Sequence, residues 1–178
     1  MRSIDPSEFP EDSYACSPTQ LKLHRACPRK WWYKYRDGER WASGAGAVLG
    51  QAVHKRIEDH YAGQLQLIED RAGRLAQALV DSLPAPGPEV QCERHLALYD
   101  DESGVVLHGI VDVWEPGKIY DVKTSKDPKR WAKNEYELAH DEQVQLYAAF
   151  QFAEYPALDE CSVTFCYVST QTEEPGPF

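Results

Sequence analysis

No stretch of this 178-residue chain reaches the roughly 18 uninterrupted apolar residues that a membrane-spanning helix needs. The N-terminus, "MRSIDPSEFPEDSY", is acidic and proline-bearing, so it also lacks the charged-then-apolar pattern of a signal peptide. Both absences argue for a cytoplasmic protein with no membrane partner. Cysteine is scarce and unpatterned. The five cysteines, at 16, 27, 92, 161 and 166, form no C-x-x-C pair, and no Cys/His group has zinc-finger spacing. They are expected to be reduced thiols. Internal repeats and low-complexity tracts are absent too.

Positive charge is missing from one long region. Residues 134–178 hold nine acids and no Lys or Arg, and the whole chain carries a net charge of −10. That sum counts against a nucleic-acid partner, but the distribution is uneven. Residues 17–41 hold seven Lys/Arg against two acids, and residues 117–133 hold six against two. Two basic blocks on an acidic body can still grip phosphates locally.

The apolar fraction of 42% and the length together predict one folded domain over residues 17–178 behind a flexible lead-in, 1–16. Ser17 is placed to cap a helix over 17–26 with Pro18 at its first position, followed by a helical or extended aromatic piece to residue 36. Apolar residues at helical spacing predict a helix over about 45–63 and a second over about 65–83, stopped by "PAPGP". Strands are expected at 90–99 and 105–114, joined by "DDESG", and at 119–123 after "EPGK". A helix over about 134–153 stops near Pro156, and "CSVTFCYVS" is a further strand. This order predicts an α/β domain with a mixed central sheet flanked by helices.

"HGIVDVWEPGKIYDVKTSK", residues 108–126, places charge where its apolar neighbours call for core. Asp112 lies near the end of one strand, and Asp121 and Lys123, two apart, share a face of the next. If those strands pair, two carboxylates and an ammonium converge. The carboxylates alone would repel, and a divalent cation such as Mg²⁺ resolves that conflict with oxygen ligands. The carbonyl of Val122 can add another oxygen. Lys123 beside such a cation would orient the attacking water and offset charge on a phosphate. Taken singly, none of these features decides anything. D-x-K is commonplace on a solvated strand, Glu93 reads as a surface acid, and His54 reads as a partly buried histidine. Gln143 and Tyr147 simply share a helix face.

In this order, however, the chain resembles the PD-(D/E)XK nuclease superfamily, and within it the RecB-type exonuclease domain. The resemblance rests on "SPTQLKLHRACPRKWWYKY", on "LGQAVHKRIE" with His54, on Glu93 in a strand, and on Gly109 with Asp112. It continues through Asp121, Lys123 and Thr124 as D-x-K-T, and closes on Gln143 and Tyr147 in "QVQLYAAF". It runs from about residue 17 to 168 and implies a restriction-endonuclease-like core. It further implies a metal-dependent DNA nuclease holding Mg²⁺ or Mn²⁺ on His54, Glu93, Asp112, Asp121 and the Val122 carbonyl. Asp112, Asp121, Lys123 and Glu93 would be catalytic, with Lys123 serving the attacking water. Gln143 and Tyr147 would support the site or touch the substrate strand. Relatives with an iron–sulfur cluster use one N-terminal cysteine and three grouped near the C-terminus. No such group follows Cys27, so no iron–sulfur cluster is expected. The chain stops soon after its last strand, where relatives often continue, which reads as a compact stand-alone version or a truncated one.

The expected substrate is a single- or double-stranded DNA end, in recombination, repair or phage DNA metabolism, within a bacterial cell or phage-infected host. Recombination or replication proteins are candidate partners. Arg29 and Lys30 in the first basic block, and Lys126, Lys129 and Arg130 in the second, are candidate DNA contacts. Trp31, Trp32, Tyr33 and Tyr35 read either as a base-stacking surface or as core. The alternative function is a nucleic-acid-binding or assembly subunit that keeps the nuclease fold without cutting. A third reading is an acidic protein whose C-terminal block docks a basic partner.

Overall fold

Prolines and capping side chains decide where the first helices begin and end. In the computed structural model, which describes residues 1–64 and 70–172, α1 spans Pro18–Ala26. Ser17 accepts a hydrogen bond from the Gln20 N–H, and the Gln20 side chain accepts one from the Ser17 N–H, which closes a capping box. Cys27 is extended (φ −162°, ψ 97°) because the residue before a proline is pushed out of the helical region. Pro28 then opens α2, Pro28–Tyr35, at the position where a missing N–H costs nothing. The open choice for the aromatic piece is thus settled as a second helix.

α3 spans Ala45–Tyr61 and α4 spans Arg71–Val80. Asp70 caps α4 by accepting from the Gly73 N–H, and Ala72, Leu75, Ala76 and Leu79 form its buried stripe. The expected helix over 65–83 is therefore shorter among the described residues; its first part, 65–69, lies outside them. Three strands follow: β3 Gln91–Asp100, β4 Val105–Glu115 and β5 Lys118–Ser125. The β4–β5 connection is Pro116–Gly117, with Gly117 at φ +78°, the pairing a tight turn with a left-handed second residue requires.

The helix expected over 134–153 is interrupted. Short helices α5, Pro128–Trp131, and α6, Glu135–Ala139, precede α7, Glu142–Glu154, and β6 covers Ser162–Ser169. The break falls at Asp141, an extended residue whose side chain accepts from the Gln143 and Val144 N–H groups, so it starts a new helix. Two short strands were missed in the lead-in: β1, Arg2–Ile4, and β2, Tyr14–Cys16. Three residues are too few to display alternation, and partners distant in sequence define these strands.

The six strands form one mixed sheet in the order β1-β3-β4-β5-β6, with β2 on β4. The chain gathers into two compact units, and β3 and β4 run through both. The first unit comprises Met1–Ala42, His95–Ile110 and Glu135–Cys161. There β1 lies antiparallel to β3 (Arg2↔Tyr99, Ile4↔Ala97) and β2 parallel to β4 (Tyr14↔Val105, Cys16↔Leu107). Trp31 packs against Tyr14, His24 and Tyr35, whereas Trp32 is half exposed with Arg36 over its ring.

The second unit comprises Ser43–Arg94, Val111–Asn134 and Ser162–Phe178. β4 and β5 pair antiparallel from Glu115↔Lys118 to Val113↔Tyr120, and β5 and β6 pair in parallel from Lys118↔Ser162 to Ser125↔Ser169. α3 and α4 cover one face of this part of the sheet. Val53, Ile57, Leu75 and Leu79 meet Val113, Val122, Cys166 and Val168 in one buried cluster. Alternation then turns Asp121 and Lys123 to the face opposite Val122. Among the described residues no helix is long and apolar enough to cross a membrane.

Candidate metal centre

The centre forms where a strand pair stops pairing. The β4–β5 register ends at Val113↔Tyr120; one step further it would set Asp112 against Asp121. There a side chain replaces the backbone ladder: Asp112 Oδ2 accepts the Val122 N–H at 2.6 Å. Asp112 is thereby held in the gap between the strands. Its other oxygen, Oδ1, lies 3.1 Å from His54 Nδ1. The N–H and C=O of one strand residue point to the same side, so the Val122 carbonyl also faces β4 and Asp112.

His54 reaches this point because α3 is anchored on either side of it. Val53 and Ile57 are buried in the core, and Gly50 brings the helix against β5. A Cβ on Gly50 would lie 3.1 Å from Thr124 Oγ1, tighter than ordinary contact, so a residue without one permits this approach. The third donor, Glu93, is held 3.5 Å from His54 Nδ1. Its backbone has φ +50°, a left-handed conformation that costs a non-glycine residue about 1–3 kcal/mol and clusters at functional sites. Donor atoms of His54, Glu93 and Asp112 all lie within 4.8 Å of one another.

The electrostatics follow from this crowding. Burial lowers the affinity of His54 for a proton, but its two carboxylate neighbours outweigh burial and hold the imidazolium up to about 10. A proton there occupies the place of a cation, and a metal would have to displace it. Asp121 is almost fully buried. Burial raises its pKa, while the Lys123 ammonium beside it opposes the rise. The Phe165 ring also lies against Lys123, its centroid 5.0 Å from Nζ. A pocket of about 480 Å³ opens from the cluster along α3, lined by Ala47, Gly50, Gln51, Lys55 and Glu58 besides His54 and Glu93. Two carboxylates and one imidazole, with a third carboxylate close by, are a donor set that suits a hard divalent cation, so the residues fit such a metal.

The sequence-predicted metal and catalytic residues, all in the second unit, come together: His54, Glu93 and Asp112 as a donor triad, Asp121 and Lys123 as an ion pair, and Val122 between them. Gln143 and Tyr147 belong to the first unit. Gln143 donates to the Tyr147 hydroxyl at 2.7 Å, and that hydroxyl donates to the Ile110 carbonyl at 2.8 Å, two residues before Asp112 in β4. Of the candidate DNA contacts, Arg29 lies over the Tyr33 ring, and Lys30, Lys126, Lys129 and Arg130 are exposed. Two features went unread in the sequence. Phe165 sits opposite Asp121 in the parallel β5–β6 register, and parallel pairing is not marked by any local turn. The approach of Gly50 to Thr124 had a trace in the glycine that leads the histidine-bearing helix.

The comparison with known families agrees with this geometry. The family model described as the PD-(D/E)XK nuclease superfamily matches residues 15–97, which run from β2 through α3 to His54 and Glu93. Asp112 and the D-x-K residues lie beyond the match and join it in space. No curated protein matches the chain significantly. The mixed sheet, the matched segment and the acidic cluster at a strand divergence agree, and over residues 15–97 the chain is similar to the PD-(D/E)XK nuclease superfamily.

Proposed function

We propose that this protein is a metal-dependent deoxyribonuclease that hydrolyses phosphodiester bonds, works from DNA ends as an exonuclease, and serves recombination, repair or phage DNA metabolism in the cytoplasm. One observation carries the reading. His54, Glu93 and Asp112 converge within 4.8 Å beside the buried Asp121 and its Lys123 partner. Structural packing has no use for so many carboxylates in one place, whereas a nuclease needs them.

His54, Glu93, Asp112, Asp121 and the Val122 carbonyl would hold Mg²⁺ or Mn²⁺. Bound there, the cation supplies Lewis-acid stabilisation to the scissile phosphate. The chain's own groups do the rest. Asp112, tied to the Val122 N–H, fixes the divergence of the strands and so the position of the site. Lys123, paired with Asp121 and in contact with the Phe165 ring, presents its ammonium to the attacking water and to the charge that builds on the phosphate. Arg29, Lys30, Lys126, Lys129 and Arg130 supply positive charge for the DNA backbone, a sequence-independent and salt-sensitive contribution.

The test is incubation of the purified protein with end-labelled linear DNA and covalently closed circular DNA, each with Mn²⁺, Mg²⁺ or EDTA. Metal-dependent loss of the linear substrate alone is expected, and the label gives the polarity. Cutting of the circle would make the enzyme an endonuclease. Cutting of neither would favour a subunit that keeps the fold without the chemistry.

A further inference from the structure

The second unit contains two tryptophans, each beside an arginine, and treats them oppositely. Trp114 is fully buried on β4, with the Arg94 guanidinium 4.6 Å from its ring centroid. Trp131, at the end of α5, is 63% exposed, with the Arg130 guanidinium 5.2 Å from its ring. The first pair belongs to the protein interior. The second is displayed.

The display is built. α5 has four residues, too few to be stable alone, but it is fixed at its start. Asp127 Oδ1 accepts the Arg130 N–H at 3.2 Å, and the Asp127 carbonyl accepts the Trp131 N–H at 3.2 Å. Pro128 is buried, and the helix packs on β5 and β6. The backbone beneath Trp131 is thus tied to the strand that carries Asp121 and Lys123. The residues that flank Trp131 along the chain are mostly basic. Residues 126–133 hold four Lys/Arg and a single acid, and that acid, Asp127, is engaged as the cap. A large exposed aromatic face on a fixed turn, beside Arg130 and with exposed Lys126 and Lys129 in the same segment, suits a partner with both flat apolar surfaces and negative charge. Unpaired nucleobases on a phosphate chain have both; in a duplex the base faces are already stacked on one another. An apolar protein partner would have no use for the cations.

We propose that Trp131 is a base-stacking residue for single-stranded nucleic acid, with Lys126 and Lys129 holding the adjoining phosphates. The proposal deepens the nuclease reading and rests on it: the strand offered to the metal centre is a single strand, positioned by a stacked base.

Binding and cleavage are separable, and so is their failure. Affinity is measured in EDTA, where the proposed chemistry is silent, by fluorescence anisotropy with two labelled strands of equal length. One is oligothymidylate; the other has the same phosphates and abasic sugars. Wild type, Trp131→Ala and Trp131→Phe are compared, with thermal melts to verify folding. Trp131→Ala is expected to weaken oligothymidylate binding about five- to hundred-fold, the equivalent of one stacked base. It should leave abasic binding unchanged, and Trp131→Phe should retain most of the wild-type affinity. Unchanged oligothymidylate binding by Trp131→Ala would overturn the proposal. So would equal weakening on both strands, or no binding of either strand by wild type. Whether linear DNA disappears with Mn²⁺ is read separately and bears on the nuclease reading alone.

Discussion

Two polar clusters hold motif residues in this protein, one in each compact unit, and they are built on opposite principles. In the first unit, Gln143 donates to the Tyr147 hydroxyl and that hydroxyl to the Ile110 carbonyl at 2.7–2.8 Å, while the Gln143 oxygen accepts from the Lys22 ammonium at 3.5 Å. Such a chain rigidifies what it joins and asks for nothing further. In the second, His54, Glu93, Asp112, Asp121 and Lys123 bring three carboxylates against two cationic groups, one of which is cationic only by retaining a proton. That cluster is negative without the histidine proton and gains from a metal. The difference separates a brace from a candidate site: both are partly buried, hydrogen-bonded and tied to β4, but one leaves a demand for an external charge.

The hardest attack on this contrast is on the carboxylate that spans the strand gap. Asp112→Asn keeps the shape and the oxygen that can accept the Val122 N–H, while removing the charge. Cleavage of linear DNA is expected to fall by about a hundredfold or more, with an unchanged circular dichroism spectrum. Lys123→Ala is expected to fall comparably. A folded Asp112→Asn enzyme working at wild-type rate would remove the distinction between site and brace.

A second measurement needs no substrate. A ligand that binds the folded state at a hundred times its dissociation constant adds about 2.7 kcal/mol of stability. In a chain of this size that corresponds to a rise in Tm of roughly 5–10 °C. Mn²⁺ at saturating concentration should produce such a shift in wild type and little in Asp112→Asn. An equal shift in both would place the metal elsewhere.

The two clusters also differ in how far they could be read in advance. Asp112, Asp121 and Lys123 announced themselves because alternation in a strand has a strict period, and a charge within an apolar run stands out. His54 and Glu93 became readable through the order of the motifs. Gln143 and Tyr147 could be placed on one helix face, but the acceptor that completes their chain, the Ile110 carbonyl, lies 37 residues away from Tyr147 and leaves no local trace. The same limit explains β1 and β2, which exist through pairing with β3 and β4, and the parallel partner Phe165. The interruption at Asp141 was legible in principle, since aspartate is a favoured helix cap, but the apolar spacing on both sides masked it. Glu93 shows the converse: its left-handed backbone departs from what a strand favours and has no signal in the sequence.

If the Gln143–Tyr147 chain is a brace, removing its central hydroxyl must cost stability and spare the chemistry. Tyr147→Phe leaves the Ile110 carbonyl and the Gln143 amide each short of a bond, within a side chain that is 2% exposed. The expected loss is about 1–3 kcal/mol in urea denaturation. kcat measured well below the denaturation midpoint should stay within about twofold of wild type, a barrier change of under ~0.5 kcal/mol. A large fall in kcat with undiminished stability would instead move Tyr147 to the substrate.

The smallest effects grade the supports of that brace. Asp141 caps α7 and forms an ion pair with Lys22 at 2.8 Å, and it is buried. Asp141→Ala should cost about 1–2 kcal/mol through the lost cap. One residue along, Glu142 pairs with Arg25 at 2.7 Å, but the arginine is 77% exposed. A pair in that setting is worth between zero and about 1 kcal/mol, because water screens it and two long side chains must be ordered to form it. Arg25→Ala should therefore lower the urea midpoint by an amount near the error of the measurement, and less still in high salt. The two ion pairs have nearly equal lengths. Their difference lies in burial and in the capping role of Asp141, so a loss from Arg25→Ala that rivals Asp141→Ala would mean that charge, and not the cap, holds α7 in place.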